Sequence, residues 1–497
     1  MSISFDTIPA ALRVPLFYAE VDRSAAGGGQ TQPKTLIVGQ MTASGSATAD
    51  SVVSVSSPSA ARDLFGAGSV LALMVAKYVE NDPDADLWAL PVEDNGAGTA
   101  GVWTITVTGP ATADGTISLY IGGQKVTVAV SEDDVQNDIA AAIEDALDAV
   151  VDDLPITATS ATNVVTCTAK NDGTVLGDLV IEENYRGLAA GEELPAGVSL
   201  AIANSVAGAT DPDLTSTLAT AIGDEEYDYI VHPYLDDTNL AAFETEMADR
   251  WAYDRQIYGH CFTAKRDSVA DLTTWGNAQN DPHLTCFGFD ALANLTCEIA
   301  AAGAGRVAAS LRIDPARPCQ TLPLMGILPY TAPGDAFTIT ERNTLLFDGV
   351  ATVYPSTGYV RLDRAITTYQ TDDYGTADAS MLDVQTLATL QYILRSLKSV
   401  VQTKYGRVKL VDDGTRYGAG QAVVSPSVVR AEMLAHYREL ERRALVENFD
   451  EFKENLVVER NEDDPNRLDV YYPPDLANQL RVLALRAAFR LQYPTIN

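Results

Sequence analysis

SPSAARDLFGAGSVLALMVAKYVENDPDADLWALPVED, residues 57–94, carries two helix signals followed by a strand signal. Pro58–Phe65 has proline in its first turn and Gly66 just past its end, the usual punctuation of a short helix. Ser69 stands where a cap belongs, and Leu71, Met74, Val75 and Tyr78 follow at helical spacing. Leu87–Val92 is a short apolar run and reads as a strand. Upstream, Thr35-Leu36-Ile37-Val38-Gly39 is another such run ending in glycine. Strand, helix, strand predicts an α/β layer.

Working outward, that pattern stops near Asn95 and resumes near Glu226. Tyr227–His232, Gln256–Thr263 and His283–Phe287 are expected as strands, with helices over Asp237–Trp251, Ser268–Gln279 and Ala291–Ala302. Pro315, Pro318, Pro323, Pro329 and Pro333 mark an irregular stretch. A hairpin is expected from Gly349–Pro355 and Gly358–Tyr369. Two long helices follow. Met381–Thr403 has Leu387, Leu390, Ile393, Leu394, Leu397 and Val401 on one face. Pro426–Leu456 has Leu434, Tyr437, Leu440, Leu445, Phe449 and Phe452. Arg467–Tyr472 is expected as a strand, and Pro473-Pro474 separates it from Gln479–Gln492, whose apolar spacing suits a helix or a strand.

Residues 97–210 interrupt the α/β pattern with a Thr-, Ala-, Val-, Asp- and Gly-rich composition. Trp103–Val107 alternates with period two. Thr116–Ile121 and Gln124–Val130 flank Gly122-Gly123, a two-residue hairpin signal. Ser131 and Asp134 resemble a capping box. The helix predicted after them carries Val135, Ile139, Ile143 and Leu147 as its apolar stripe. Further strands are expected at Asn163–Ala169, Asp178–Glu182 and Ser199–Val206. The segment reads as a β-rich domain inserted into an α/β domain.

The 497 residues carry 34 Lys+Arg against 68 Asp+Glu, a net charge of −34. Such a field repels phosphate and anionic lipid, which argues against nucleic acid and membrane surfaces as partners. No apolar run approaches the roughly 20 residues of a membrane-spanning helix, and MSISFDTIPAALRV lacks the pattern of a secretory signal. Five scattered cysteines (167, 261, 286, 297, 319) read as buried thiols, not a disulfide framework. The charge is uneven: residues 1–260 hold 39 acids and 10 bases, and residues 395–497 hold 15 and 16. From Leu476 onward Arg481, Arg486 and Arg490 occur with no acid.

The motifs that carry chemistry are mostly missing. Gly303-Ala304-Gly305-Arg306-Val307-Ala308 fits a dinucleotide fingerprint, but it follows a helix-like run and not a strand, so a helix cap or tight packing is the better reading. Asp82, Asp84, Asp86 and Glu93 occupy calcium-loop positions, yet Leu87 stands where that loop needs glycine. His232, His260, His283 and His436 form no ligand-spaced pair, although His260-Cys261 and His283 with Cys286 would approach on neighbouring strands. No catalytic residue, metal ligand or cofactor site is assigned. This favours a structural or assembly protein, and the residues alone leave the choice open.

Three stretches carry a resemblance: SISFDTIPAALRVPLFYAEVD (Ser2–Asp22) with KTLIVGQ (Lys34–Gln40), the block Ser57–Asp94, and RLDVYYPPDLANQLRVLALRAAFRLQY (Arg467–Tyr493). In their order the sequence resembles the tail sheath proteins of contractile-tailed bacteriophages of the Mu-like type. The resemblance implies an α/β (α+β) multidomain chain. Its expected parts are an N-terminal arm at 1–33, sheath body at 34–96 and 211–370, and an inserted β-rich outer domain at 97–210. A helical inner domain at 371–475 and a C-terminal arm at 476–497 complete it. It further implies a non-enzymatic subunit without cofactor, assembled in the host cytoplasm into the helical homo-oligomeric sheath of the virion. Its partners are then the tail tube protein and the baseplate and tail terminator proteins. The arms are expected to exchange strands between subunits. The N arm offers Phe17, Tyr18, Ala19, Glu20 and Val21, and the C arm Leu480, Val482, Leu483, Leu485, Phe489 and Leu491. The acceptor is the body sheet expected to contain Leu468, Val470 and Tyr472. Gly27–Gly29 serves as a hinge, and the resemblance favours strand over helix for the C arm. Arg430, Arg438, Arg442 and Arg443 are candidates to face the tube. The rival readings are a surface-layer or other self-assembling structural protein and an α/β enzyme with a lid domain at 97–210.

Overall fold

The computed structural model describes residues 32–332 and 334–491. The expected N-arm strand Phe17–Val21 and the glycine hinge lie outside them. Two compact units divide the described residues: Pro33–Thr389 with residues 476–491, and Leu390–Asp475.

The larger unit is built on an eight-stranded sheet. It contains β1 (Lys34–Gln40), β2 (Val53–Ser54), β3 (Asp86–Val92), β11 (Tyr229–Val231), β12 (His260–Arg266), β13 (Leu284–Phe289), β14 (Ala351–Ser356) and β15 (Tyr359–Arg364), in the order β15-β14-β13-β12-β11-β1-β3-β2. From β3 through β14 the neighbours run parallel, and the outer strands β2 and β15 are antiparallel. Parallel strands need helical crossovers on the sheet faces. The early stretch supplies them as read: α1 (Pro58–Phe65) and α2 (Val70–Asn81), with Ser57 and Ser69 accepting capping bonds from Ala60 and Ala72. Leu71, Met74, Val75 and Tyr78 are all fully buried.

α7 (Thr296–Ile313) starts later than expected and runs straight through the glycine motif. A Cβ at Gly303 would sit 2.4 Å from the Phe287 ring, and one at Gly305 would sit 2.9 Å from the Tyr78 carbonyl oxygen. These glycines let α7 press against strand β13 and helix α2, which is the tight-packing reading and not the helix-cap one.

The inserted segment folds into β4 (Ala100–Thr108), β5 (Gly115–Ile121), β6 (Gln124–Val130), α3 (Gln136–Asp148), β7 (Ile156–Ala161), β8 (Val164–Asp172), β9 (Ile181–Glu183) and β10 (Ser199–Val206). These strands make a four-stranded sheet, β10-β4-β8-β7, and a three-stranded one, β6-β5-β9. Gly122 and Gly123, at φ 55° and 84°, form the two-residue turn between β5 and β6. The expected cap at Ser131 is corrected. The Ser131 amide does donate to Asp134, but α3 begins at Gln136 and Val135 is 44% exposed, outside the Ile139–Ile143–Leu147 stripe.

The smaller unit contains most of α9 (Val384–Tyr405), then β16 (Lys409–Leu410), β17 (Val423–Val424), α10 (Pro426–Arg442), α11 (Phe449–Asn455), β18 (Val457–Arg460) and β19 (Leu468–Tyr471). The single helix expected over 426–456 is broken. Ala444 and Asn448 take positive φ, at 55° and 56°, and the chain turns between α10 and α11. Leu445 and Val446 are buried in that turn, and the Tyr437 hydroxyl closes it on the Glu447 carbonyl at 2.6 Å. Burial of the turn outweighs the continued apolar spacing.

Candidate functional site

In open α/β sheets, ligands bind outside the carboxyl ends of the strands, where the strand order reverses direction. Here that place lies between β1 and β11. Gln40, fully buried at the end of β1, donates from Nε2 to Asp94 at 2.7 Å and to the Asp172 carbonyl at 2.6 Å. Asn171, at the end of β8, donates to the Met41 carbonyl and to Asp94 and accepts from the Val70 amide. Burial raises the Asp94 carboxyl above its ordinary range. The inserted segment thus ties itself to the carboxyl end of β1 through Asn171 and Asp172. Its second attachment is the Gly122-Gly123 turn. A Cβ on Gly123 would lie 2.7 Å from the Asn294 side chain, and Asn294 is itself held by Glu298 and the Leu328 amide. The domain's entry and exit lie side by side, since Thr99 and Ala209 exchange backbone bonds of 3.0 and 3.1 Å.

The histidine and cysteine neighbours occupy the core. β12 and β13 are adjacent, and His260 Nε2 meets the Thr285 hydroxyl at 2.8 Å. His283 stacks on Trp251 and His232 on Phe243, with centroids 4.8 and 3.9 Å apart. Burial pushes His283 down to about 4 and His232 to about 3. Burial raises Asp281, whose carboxylate accepts from the His283 amide, to about 7. All five cysteines are buried thiols. Asp82, from the calcium-like spacing, is clasped by both Arg312 terminal nitrogens, and Asp86 accepts from the Trp88 indole. Among the described residues no group of three His, Cys, Asp or Glu has metal-holding geometry.

The smaller unit presents a different kind of site, an open hairpin. β18 and β19 pair antiparallel, Val457 with Tyr471 through Arg460 with Leu468, and no other described strand joins them. An antiparallel ladder alternates its bonds. The Asn461 amide bonds to the Arg467 carbonyl, so the amides of Val458, Arg460, Leu468 and Val470 point away from the partner strand. Among the described residues both long edges are therefore open to added strands. Tyr472 belongs to the packing instead. It meets Phe452 edge-on at 4.8 Å, while Phe452 stacks on Tyr437 at 3.7 Å. The sequence placed Leu468, Val470 and Tyr472 in a large body sheet and did not see β18; Leu468 and Val470 lie instead in this two-stranded hairpin, and Tyr472 lies just past its end.

The four arginines are not one patch. Arg430 holds the last carbonyls of α11, at Lys453 and Leu456. Arg438 lies 4.4 Å over the Phe449 ring, and Arg443 lies 4.7 Å over Tyr392. Arg438, Arg442 and Arg443 are exposed and Arg430 is half-buried; Arg442, 75% exposed, pairs with its neighbour Glu439 at 3.0 Å.

The C-terminal segment is neither helix nor intrachain strand from Pro473 to Leu491, apart from a single bridge residue. Leu480, Val482, Leu483, Leu485, Phe489 and Leu491 are 70–96% exposed. Sequence reasoning missed how its root is held: Arg481 binds Asp383 and Gln385, about a hundred residues earlier, and no local signal reveals a pairing at that separation.

Residues 207–368 match the phage tail sheath protein central domain, and residues 376–490 match the phage tail sheath C-terminal domain. The chain is 38% identical over 494 residues to the Mu-like prophage FluMu tail sheath protein of Haemophilus influenzae, covering 99% of this chain and 100% of that one. Similar solved structures include the sheath tail protein of Desulfitobacterium hafniense, at 12% identity and a TM-score of 0.48, covering 94% of this chain and 97% of that one. That of Listeria innocua has 13% identity and a TM-score of 0.47, over 91% and 94%.

Proposed function

Because the chain belongs to the phage tail sheath protein family, we propose that it works by strands exchanged between copies around a tail tube. It is a structural subunit of a contractile tail sheath, a virion component of a structural and not an enzyme family. Its copies stack helically, as a head-to-tail contact that does not close must. The sheath is assembled in the host cytoplasm in an extended, metastable state, on the tube and between baseplate and terminator. Contraction repacks the same subunits.

The observation that carries this reading is the β18–β19 hairpin with two open edges, in a chain with two candidate arms. Main-chain bonds to an added strand survive changes in side-chain packing, and flexible linkers absorb the motion. The N arm, through Phe17–Val21, and the C-arm tip each take one edge on a neighbouring copy. Residues 97–210 form the outer domain, and the smaller unit lies towards the tube.

The test is tube formation by the purified chain, followed by electron microscopy. Val470→Pro removes an outward amide and leaves the hairpin's internal bonds intact, so the chain should fold yet form no tubes. Deletion of 1–25 or 482–497 should do the same. Contractile tubes from either truncation would overturn the strand exchange. For the tube-facing surface, Arg442 with Arg438 is the pair to reverse. Changing both to Glu should weaken assembly on isolated tubes and reduce its salt dependence, with tube-free polymerisation unchanged. Wild-type behaviour on tubes would move that contact elsewhere.

A further inference from the structure

The C-terminal segment changes character at one residue. From Tyr472 to Arg481 several residues are half-covered, and every described residue after Arg481 is exposed. At the boundary, Arg481 Nη2 donates to Asp383 Oδ1 at 2.8 Å and to Gln385 Oε1 at 2.9 Å, and Nη1 reaches Gln320 Oε1 at 3.3 Å. Gln320 Nε2 donates back to the Leu480 carbonyl at 3.4 Å. The arginine side chain is 13% exposed and Asp383 15%, while Gln385 is fully buried. Asp383 is not a loose surface acid. It sits directly before the first residue of α9 and accepts two further bonds from Arg364, at 2.9 and 2.8 Å. Arg364 ends β15, so the arm's root is fixed to the edge of the main sheet.

We propose that Arg481 is the positioning residue of the C-terminal arm. Its clamp on Asp383, Gln385 and Gln320 sets the point where the arm leaves the body, and the chain beyond Arg481 is the part that pairs with a neighbouring copy. This rests on the strand-exchange reading and adds to it. The donated strand then comes from Val482–Leu491, and Leu480 stays with its own subunit. An extended residue spans at most about 3.3–3.6 Å. Loosening the root back to Pro474 would therefore add roughly 25 Å of reach. An arm that long can meet the wrong copy or the right copy in the wrong register, and effective concentration falls as a tether lengthens past its span.

Trypsin reads the anchor directly on the full, unassembled chain. Cleavage should occur after Arg486, which is exposed, and be slow after Arg481. Gln320→Ala combined with Gln385→Ala leaves the Asp383–Arg364 pair in place. It should raise cleavage after Arg481 about tenfold, the effect of losing roughly 1.4 kcal/mol, with the Arg486 site unchanged. The same variant, and Asp383→Asn independently, should raise the concentration needed for tube formation about tenfold on the same scale. Arg481→Lys, which keeps the charge but not the fork, should fall between wild type and Arg481→Ala. Fast wild-type cleavage after Arg481 would overturn the anchor. A wild-type assembly threshold in the Gln320/Gln385 variant would do so as well. If deletion of 482–497 leaves tubes intact, the strand exchange fails; if that deletion abolishes tubes while the anchor variants assemble normally, only the anchor fails.

Discussion

His232 is fully buried against Phe243, and burial holds its pKa at about 3. An unfolded chain takes up a proton there as pH falls through about 6.5. The folded chain does not, so stability present at neutral pH is lost as pH falls over that window. Asp281 works in the opposite direction: held at about 7, it keeps a proton that the unfolded chain has released, and its contribution grows as pH falls below 7. A variant comparison isolates the histidine. His232→Phe should lose about 2 kcal/mol less than the wild type between pH 7 and pH 5, the share of one such histidine beside those of His260 and His283. Urea denaturation at pH 7 and pH 5 measures it, and an equal loss in both proteins would refute it. At Gly303, alanine is the better helix former by about 1 kcal/mol, yet its methyl would strike the Phe287 ring. Gly303→Ala should therefore destabilise the chain by about 1–3 kcal/mol, the range for overpacking, and a raised Tm would mean the ring moves aside.

Elements were legible where signals were local. The β5–β6 turn follows from two glycines, and the helices of 57–94 follow from their caps and apolar spacing. Where the sequence failed, a distant contact had won. The break between α10 and α11 is hidden because Leu445, Phe449 and Phe452 continue the helical spacing, while the turn is held by Tyr437. β18 is only four residues, Val457–Arg460, too short to stand out before its partner is known. Of the candidate site, the strand Leu468–Tyr471 was readable, and the anchor of Arg481 was not, because its partners come from separate elements. The inserted domain gives a prediction at this scale. Its ends meet at Thr99 and Ala209, so a short Gly/Ser linker can replace 97–210 without pulling β3 from the sheet. The shortened chain should fold and polymerise, at some loss of stability because Gln40 and Asp94 keep each other but lose their bonds to Asp172 and Asn171. An unfolded product by circular dichroism would instead make the insert part of the main core.

At the scale of the molecule, each copy brings a net charge of −34 to its neighbours. Like charges within a Debye length repel, and that length shrinks from about 14 Å at 0.05 M salt to about 6 Å at 0.3 M. Polymerisation measured by pelleting should therefore begin at lower protein concentration as salt rises over that range. A threshold that rises with salt would mean that attractive pairs between copies outweigh the repulsion. The bridge between Thr99 and Ala209 also bears on how fast the chain folds. Strand β1 must find β11 across a separation of 194 residues, the span from Lys34 to Asp228. An insert that folds first takes about 110 residues out of that loop. Each doubling of loop length costs only about 0.6 kcal/mol, so the shortcut speeds closure about threefold. A version of the insert that folds slowly would slow the β1–β11 encounter by at most that threefold, without changing one contact in the sheet.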